Sequence, residues 1–109
     1  MTDERAERGA IVSGIGMSRI GRKTGISDVE LTVESTKAAI ADAGISASDI
    51  DGIATIGDTP IAVTAERLGI SPDWTGGSMG HYGLLTPVVD AFQAVGNRAA
   101  RHILVYRTV

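Results

Sequence analysis

Thr75-Gly76-Gly77-Ser78-Met79-Gly80-His81-Tyr82-Gly83 is the stretch on which the reading of this chain turns. It follows an aromatic lead-in at Trp74 and opens into an apolar run from Leu84 to Val95. Four glycines in nine residues relax the backbone enough for a sharp turn or a close approach to a ligand, because glycine alone takes positive φ without a Cβ clash. His81 and Tyr82 bring acid/base capacity to the place where a helix should begin. Free backbone N–H groups and partial positive charge collect at such an end, so an oxyanion, carboxylate or phosphate could be held there. The candidate catalytic residues are therefore His81 and Tyr82, with Gly77, Ser78, Gly80 and Gly83 as candidate substrate-binding positions. The competing reading is a tight strand-to-helix turn whose histidine is solvated or merely packed, with Ser78 as a cap and the Tyr82 ring packed.

Working outward, strands and helices alternate. Upstream, Gly9 to Gly16 is a short apolar run bounded by glycines, which predicts a buried strand. Gly14-Ile15-Gly16 invites the dinucleotide fingerprint, but its third glycine should stand at position 19, which is Arg19. Ser27-Asp28-Val29-Glu30 has capping-box spacing and predicts a helix start, with Val29, Val33, Thr36, Ile40 and Ala43 on one stripe and Gly44 as the left-handed stop. Asp51 to Gly57 reads as a second strand and Ile61 to Leu68 as a short helix stopped by Gly69. Asp73 to Gly76 reads as a weak third strand. Downstream, Leu84 to Val95 is apolar almost all round, which predicts burial between layers. Thr86-Pro87 leaves two starts open for that helix, Thr86 as N-cap with Pro87 in the favoured first position, or an earlier start near His81 with Pro87 inside. His102 to Tyr106 is a final strand. The order β, α, β, α, weak β, α, β predicts an α/β layer with a mostly parallel sheet. Ending on its most strand-like segment, the sheet reads as incomplete.

The 109 residues fit one small domain, expected as a disordered leader over 1–8 and a folded segment over 9–109. Ten basic and 13 acidic residues, interspersed, give a net charge of -3 and no footprint for nucleic acid. The absence of cysteine removes disulfides, thiolate nucleophiles and cysteine metal sites. His81 and His102 are the two imidazoles, neither with carboxylates at metal-site spacing, so no metal is expected. The charged leader is neither a signal peptide nor a membrane span, so no membrane is expected and the cytoplasm is the default location.

Several stretches together, Ala10 to Gly16, Ser48 to Ala54, Trp74 to Gly77 and His102 to Arg107, resemble the opening of thiolase-like proteins. The nearest likeness is to the lipid-transfer-protein or sterol-carrier-type branch, often labelled acetyl-CoA acetyltransferase. The resemblance implies a βαβαβ layer of an incomplete thiolase half, and acyl-CoA chemistry with a coenzyme A thioester as substrate and no bound cofactor. The family's nucleophilic cysteine would fall at Gly80, His81 or Tyr82, and this chain has none there. The acyl-enzyme route thus lacks its usual nucleophile, whereas thiolase-like aldolases that cleave sterol side-chain acyl-CoA thioesters dispense with that cysteine. The resemblance implies either an acyltransferase or a cysteine-free aldolase, inactive alone, or else a non-catalytic interaction module. It further implies a homo-oligomer, since related thiolases dimerise near the third strand, here Trp74 to Ser78, or a subunit completed by a partner.

Overall fold

The computed structural model describes residues 9–18, 25–56, 59–76 and 86–108. Helix α1 spans Asp28–Ala43, followed by a single 3₁₀ turn at Ala47–Asp49. Strand β1 is Gly52–Thr55, α2 Ile61–Leu68, β2 Trp74–Gly76, α3 Thr86–Gly96 and β3 Ile103–Tyr106. The local stop and start signals act as the residues dictate. The Ser27 hydroxyl accepts the Glu30 N–H at 3.2 Å, and Gly44 and Gly69 end their helices at φ of 73° and 71°. The Glu30 carboxylate pairs with Arg67 of α2, tying the two helices together.

The three strands are parallel in the order β2-β1-β3, with Gly52 opposite both Trp74 and Ile103. Strand alternation sorts the side chains into two faces. Ile53, Leu104 and Tyr106 join Ile40 of α1, Ala65 of α2, Ile50 and Ile70 in one apolar cluster. The opposite face carries Gly52, Ala54, Ile103 and Val105, and α3 packs against all three strands. Small residues on both partners, with Ala91 and Ala94 on the helix, let α3 lie close to the sheet. The result is a three-layer α/β/α arrangement.

Two expectations are corrected. The run Gly9 to Gly16 forms no strand. It lies as an extended segment against α1, leaving Ile11, Val12, Ile15 and Met17 between 63% and 83% exposed. A strand needs a neighbour to pair with, and here the flank of β3 is separated from this segment by a cleft. Helix α3 is also less enclosed than its composition suggested, because Pro87, Ala91 and Ala94 are buried while Val89 remains 47% exposed. The described helix carries Pro87 within its first turn.

Candidate functional site

His81, Tyr82, Gly77, Ser78, Gly80 and Gly83 lie outside the described residues, as does the leader 1–8. The flanks of the glycine-rich stretch are described. It connects Gly76, the last residue of β2, to Thr86, the first described residue of α3. All three strands point the same way, so Thr55, Gly76 and Tyr106 end at one edge of the sheet. In open α/β sheets the carboxyl edge is where ligands bind.

Two arrangements brace the sheet, and neither was anticipated from the sequence. The first is the seating of Trp74. A Cβ at Gly76 would lie 2.5 Å from the indole Cη2, and one at Gly52 would lie 3.1 Å from Cε3, so the ring occupies the space that two missing side chains leave. Trp74 and Gly76 share a face of β2 by the period of two, and Gly52 is the register partner of Trp74. The glycines therefore fix the indole at the root of the glycine-rich stretch.

The second arrangement is a buried hydroxyl cluster past the strand ends. Thr32 Oγ1 lies 2.8 Å from the Asp28 carbonyl oxygen and 2.9 Å from Thr59 Oγ1, and it meets Thr108 Oγ1 as well. Tyr106 donates its phenolic hydrogen to the Thr59 carbonyl at 2.6 Å. Thr32 is fully buried, as are Thr36 and Thr59 to within 2%. Buried hydroxyls are kept by such mutual satisfaction, and together they tie α1 to the segments that follow β1 and β3. The signal in the sequence was a threonine pair, Thr32 and Thr36, on the buried stripe of α1.

His102 belongs to the opposite edge. It is exposed, and its backbone N–H donates to Asp51 Oδ1 at 3.0 Å, while the Arg101 N–H donates to the same carboxylate. Asp51 thereby staples the start of β3 to the start of β1. Nearby, the Ser46 backbone N–H and then the Ser46 hydroxyl donate to Asp49 and hold its carboxyl below its ordinary value of 3.8. Among the described residues no group of three or more His, Asp or Glu side chains is placed to hold a metal ion. Among them also, no helix is long and apolar enough to cross a membrane.

With the layer and its edge established, comparison with known proteins gives the class: the chain carries a thiolase-like fold. No family model matches the chain. A 17-hydroxy-3-oxo-4-pregnene-20-carboxyl-CoA lyase of Mycobacterium tuberculosis is 32% identical over 102 residues, 90% of this chain and 26% of the relative. A steroid side-chain-cleaving aldolase of Thermomonospora curvata is 44% identical over 46 residues, 42% of this chain and 12% of the relative. Among solved structures, the Ltp2-ChsH2(DUF35) aldolase superposes with a TM-score of 0.79 at 31% identity, over 91% of this chain and 27% of that one. An SCP2-thiolase-like protein type 1 of Mycobacterium smegmatis, described as monomeric, gives 0.64 at 24% identity, over 93% of this chain and 23% of that one, and bears on the fold alone. The chain thus spans about a quarter of the length of the lyase and of the aldolase structure.

Proposed function

We propose that this chain forms part of a thiolase-like aldolase that cleaves a carbon–carbon bond in the side chain of an acyl-CoA thioester. One observation carries the reading. The chain resembles two enzymes named for lyase and aldolase activity, and it contains no cysteine with which to form an acyl-enzyme. A β-hydroxyacyl thioester can be split without a covalent intermediate. A base removes the hydroxyl proton, the Cα–Cβ bond breaks, and its electron pair passes to the thioester as an enolate that is then protonated at Cα. The products are a carbonyl compound and a shortened acyl-CoA.

In this reading the backbone amides of Gly77, Ser78, Gly80 and Gly83 hold the thioester oxygen as it gains negative charge. His81 and Tyr82 move the protons. The connection from β2 to α3 at the carboxyl edge of the sheet supports that assignment. A chain about a quarter as long as its relatives holds only part of such a site. The reading therefore includes completion by further thiolase-like polypeptide or by a partner subunit, and the similar aldolase structure carries two components in its name, Ltp2-ChsH2(DUF35). Acetyl transfer between CoA thioesters is the less favoured chemistry, because the named relatives are lyases and the cysteine is missing.

The test is turnover of β-hydroxyacyl-CoA substrates by the chain assembled with its partner polypeptide, followed by mass spectrometry of the shortened acyl-CoA. His81→Ala and Tyr82→Phe should lower turnover by about 10²-fold or more with unchanged thermal stability. Cleavage rates unaltered by both substitutions would remove them from the mechanism. Thiolysis of acetoacetyl-CoA without aldol cleavage would overturn the reaction class.

A further inference from the structure

A concavity of about 640 Å³ lies where α3 gives way to β3, lined by Val95, Arg98, Ala100, Arg101 and His102. It sits at the amino edge of the sheet, away from the carboxyl edge to which the proposed reaction is assigned. The way α3 ends shapes it. The N–H groups of Asn97 and Arg98 donate to the carbonyls of Gln93 and Val95 at 2.8 and 3.0 Å, and the Ala99 N–H turns back to the Ala94 carbonyl at 2.8 Å. A reversal of this kind uses one left-handed residue, and Arg98 takes that place with a φ of 64°. Ala100 is buried and Val95 half-buried, so the floor is apolar, while Arg98, Arg101 and His102 are exposed around it.

Two observations single out this rim. The first is the residue in the left-handed position. Gly96 and Asn97, the types that suit such a turn, stand just before it, yet the position itself is arginine, whose Cβ disfavours the conformation. The backbone therefore does not ask for arginine there. The second is that the cations lack counter-charges. Glu30 pairs with Arg67, but among the described residues neither Arg98 nor Arg101 has an ion-pair partner. Asp51 accepts the backbone N–H groups of Arg101 and His102, which fixes the main chain bearing two of the three groups and occupies that carboxylate. Asp49 Oδ2 is likewise taken up by the Ser46 N–H and hydroxyl. A cation suits a helix C-terminus in its own right, but Arg101 and His102 lie beyond α3.

We propose that this concavity binds a phosphate ester of nucleotide size. Two guanidinium groups present forked donors that match phosphate oxygens, and the His102 imidazole adds a further donor. The floor of Val95 and Ala100 receives the organic part of the ester, and the volume falls in the range of small-molecule sites. Bare phosphate would leave that floor uncovered. An acidic peptide would bring a row of carboxylates to a rim that holds three donors side by side. The site lies on the other edge of the sheet from the proposed carbon–carbon cleavage and goes beyond it, so each can fail without the other.

The test is an amide NMR titration of the full 109-residue chain with adenosine monophosphate and, separately, with inorganic phosphate, at constant ionic strength. Amides of Arg98, Arg101 and His102 should shift saturably, with the ester bound about tenfold more tightly than inorganic phosphate. Hydrogen exchange at Ile53 and Leu104 reports that the fold holds throughout. Arg98→Gly should weaken ester binding by about tenfold or more, while thermal stability holds or rises because glycine eases the left-handed turn. Arg101→Gln keeps the backbone N–H that Asp51 accepts and should weaken binding likewise. Shifts that follow ionic strength alone, or ester affinity unchanged in Arg98→Gly, overturn the proposal. So does inorganic phosphate that binds as tightly as the ester, and so does tighter binding of a glutamate-rich peptide, which would give the rim to an acidic polypeptide. A chain whose Ile53 and Leu104 amides stay unprotected with the ester present has no such pocket, and that result overturns the proposal too.

Discussion

Replacing Gly16 by alanine drives a methyl group into the main chain of α1. The added Cβ would stand 2.8 Å from the carbonyl carbon of Ala38 and nearer still to the Ser35 oxygen and the Ala39 nitrogen. These are backbone atoms of a helix, so no rotamer change relieves the contact, and overpacking of this kind costs about 1–3 kcal/mol. Gly16 is not among the positive-φ glycines, so the demand is for space alone. Against the clash stands what holds the segment down. The Ile15 N–H donates to Asp42 Oδ2 at 2.9 Å in an exposed setting, worth about 1 kcal/mol net. Ile11, Val12, Ile15 and Met17 are mostly in solvent and add little burial. The clash exceeds the hold, so the segment should lift off α1 and the loss of global stability should stop at about 1 kcal/mol, the cost of local opening. Leu104→Ala offers the contrast, because Leu104 is in the core cluster and its truncation should cost about 2–5 kcal/mol throughout the domain. Residue-resolved amide exchange with urea denaturation reads both. In Gly16→Ala the Ile15 amide should exchange roughly fivefold faster while Ile53 and Leu104 keep their protection. An Ile15 amide that stays protected while those core amides lose protection would refute the reasoning.

Gly76→Ala puts a methyl where the Trp74 indole lies, and Trp74 is the sole tryptophan; its fluorescence should shift to the red as the ring swings out, with a stability loss of about 1–3 kcal/mol by thermal denaturation. Thr32→Val keeps the shape but strands the Thr59 and Thr108 hydroxyls in a buried place; a loss of about 1–3 kcal/mol is expected in urea titrations, and a neutral result would show the cluster to be dispensable. Asp49 has a folded pKa held below the ordinary 3.8 by the Ser46 backbone and hydroxyl, so its contribution is complete above that value and fades as pH falls through the depressed one. Asp49→Asn should therefore be less stable than the parent above about pH 5, with the gap closing on acidification, and a gap that widens towards low pH would contradict the assignment.

How far the sequence could be read depended on whether each feature needed a distant partner. Helices α1 and α2 were legible because their signals are local. Ser27 caps, Gly44 and Gly69 take positive φ, and the apolar stripe repeats at helical spacing. The parallel layer followed from the alternation of elements. The first predicted strand failed for the complementary reason, since the β propensity of Ala10 to Gly16 describes fitness for a pleated, half-buried surface and becomes a strand only beside another. The glycines divide along the same line. Gly44 and Gly69 are required by dihedral angle, which a residue's neighbours in sequence announce. Gly14, Gly16, Gly52 and Gly76 are required by space, because α1 backbone or the Trp74 ring occupies the place of their Cβ. That second requirement appears only once register sets Gly52 against Trp74 and folding brings residues 14–16 against 35–43. The dinucleotide-like Gly14-Ile15-Gly16 thereby finds its explanation in packing against α1, and a glycine-rich stretch is better evidence of close approach than of what approaches. For the stretch 75–83 the structure describes the flanks, Gly76 at the end of β2 and Thr86 at the start of α3. The chemistry assigned there rests on the imidazole and phenol that the sequence puts in it and on the missing thiol.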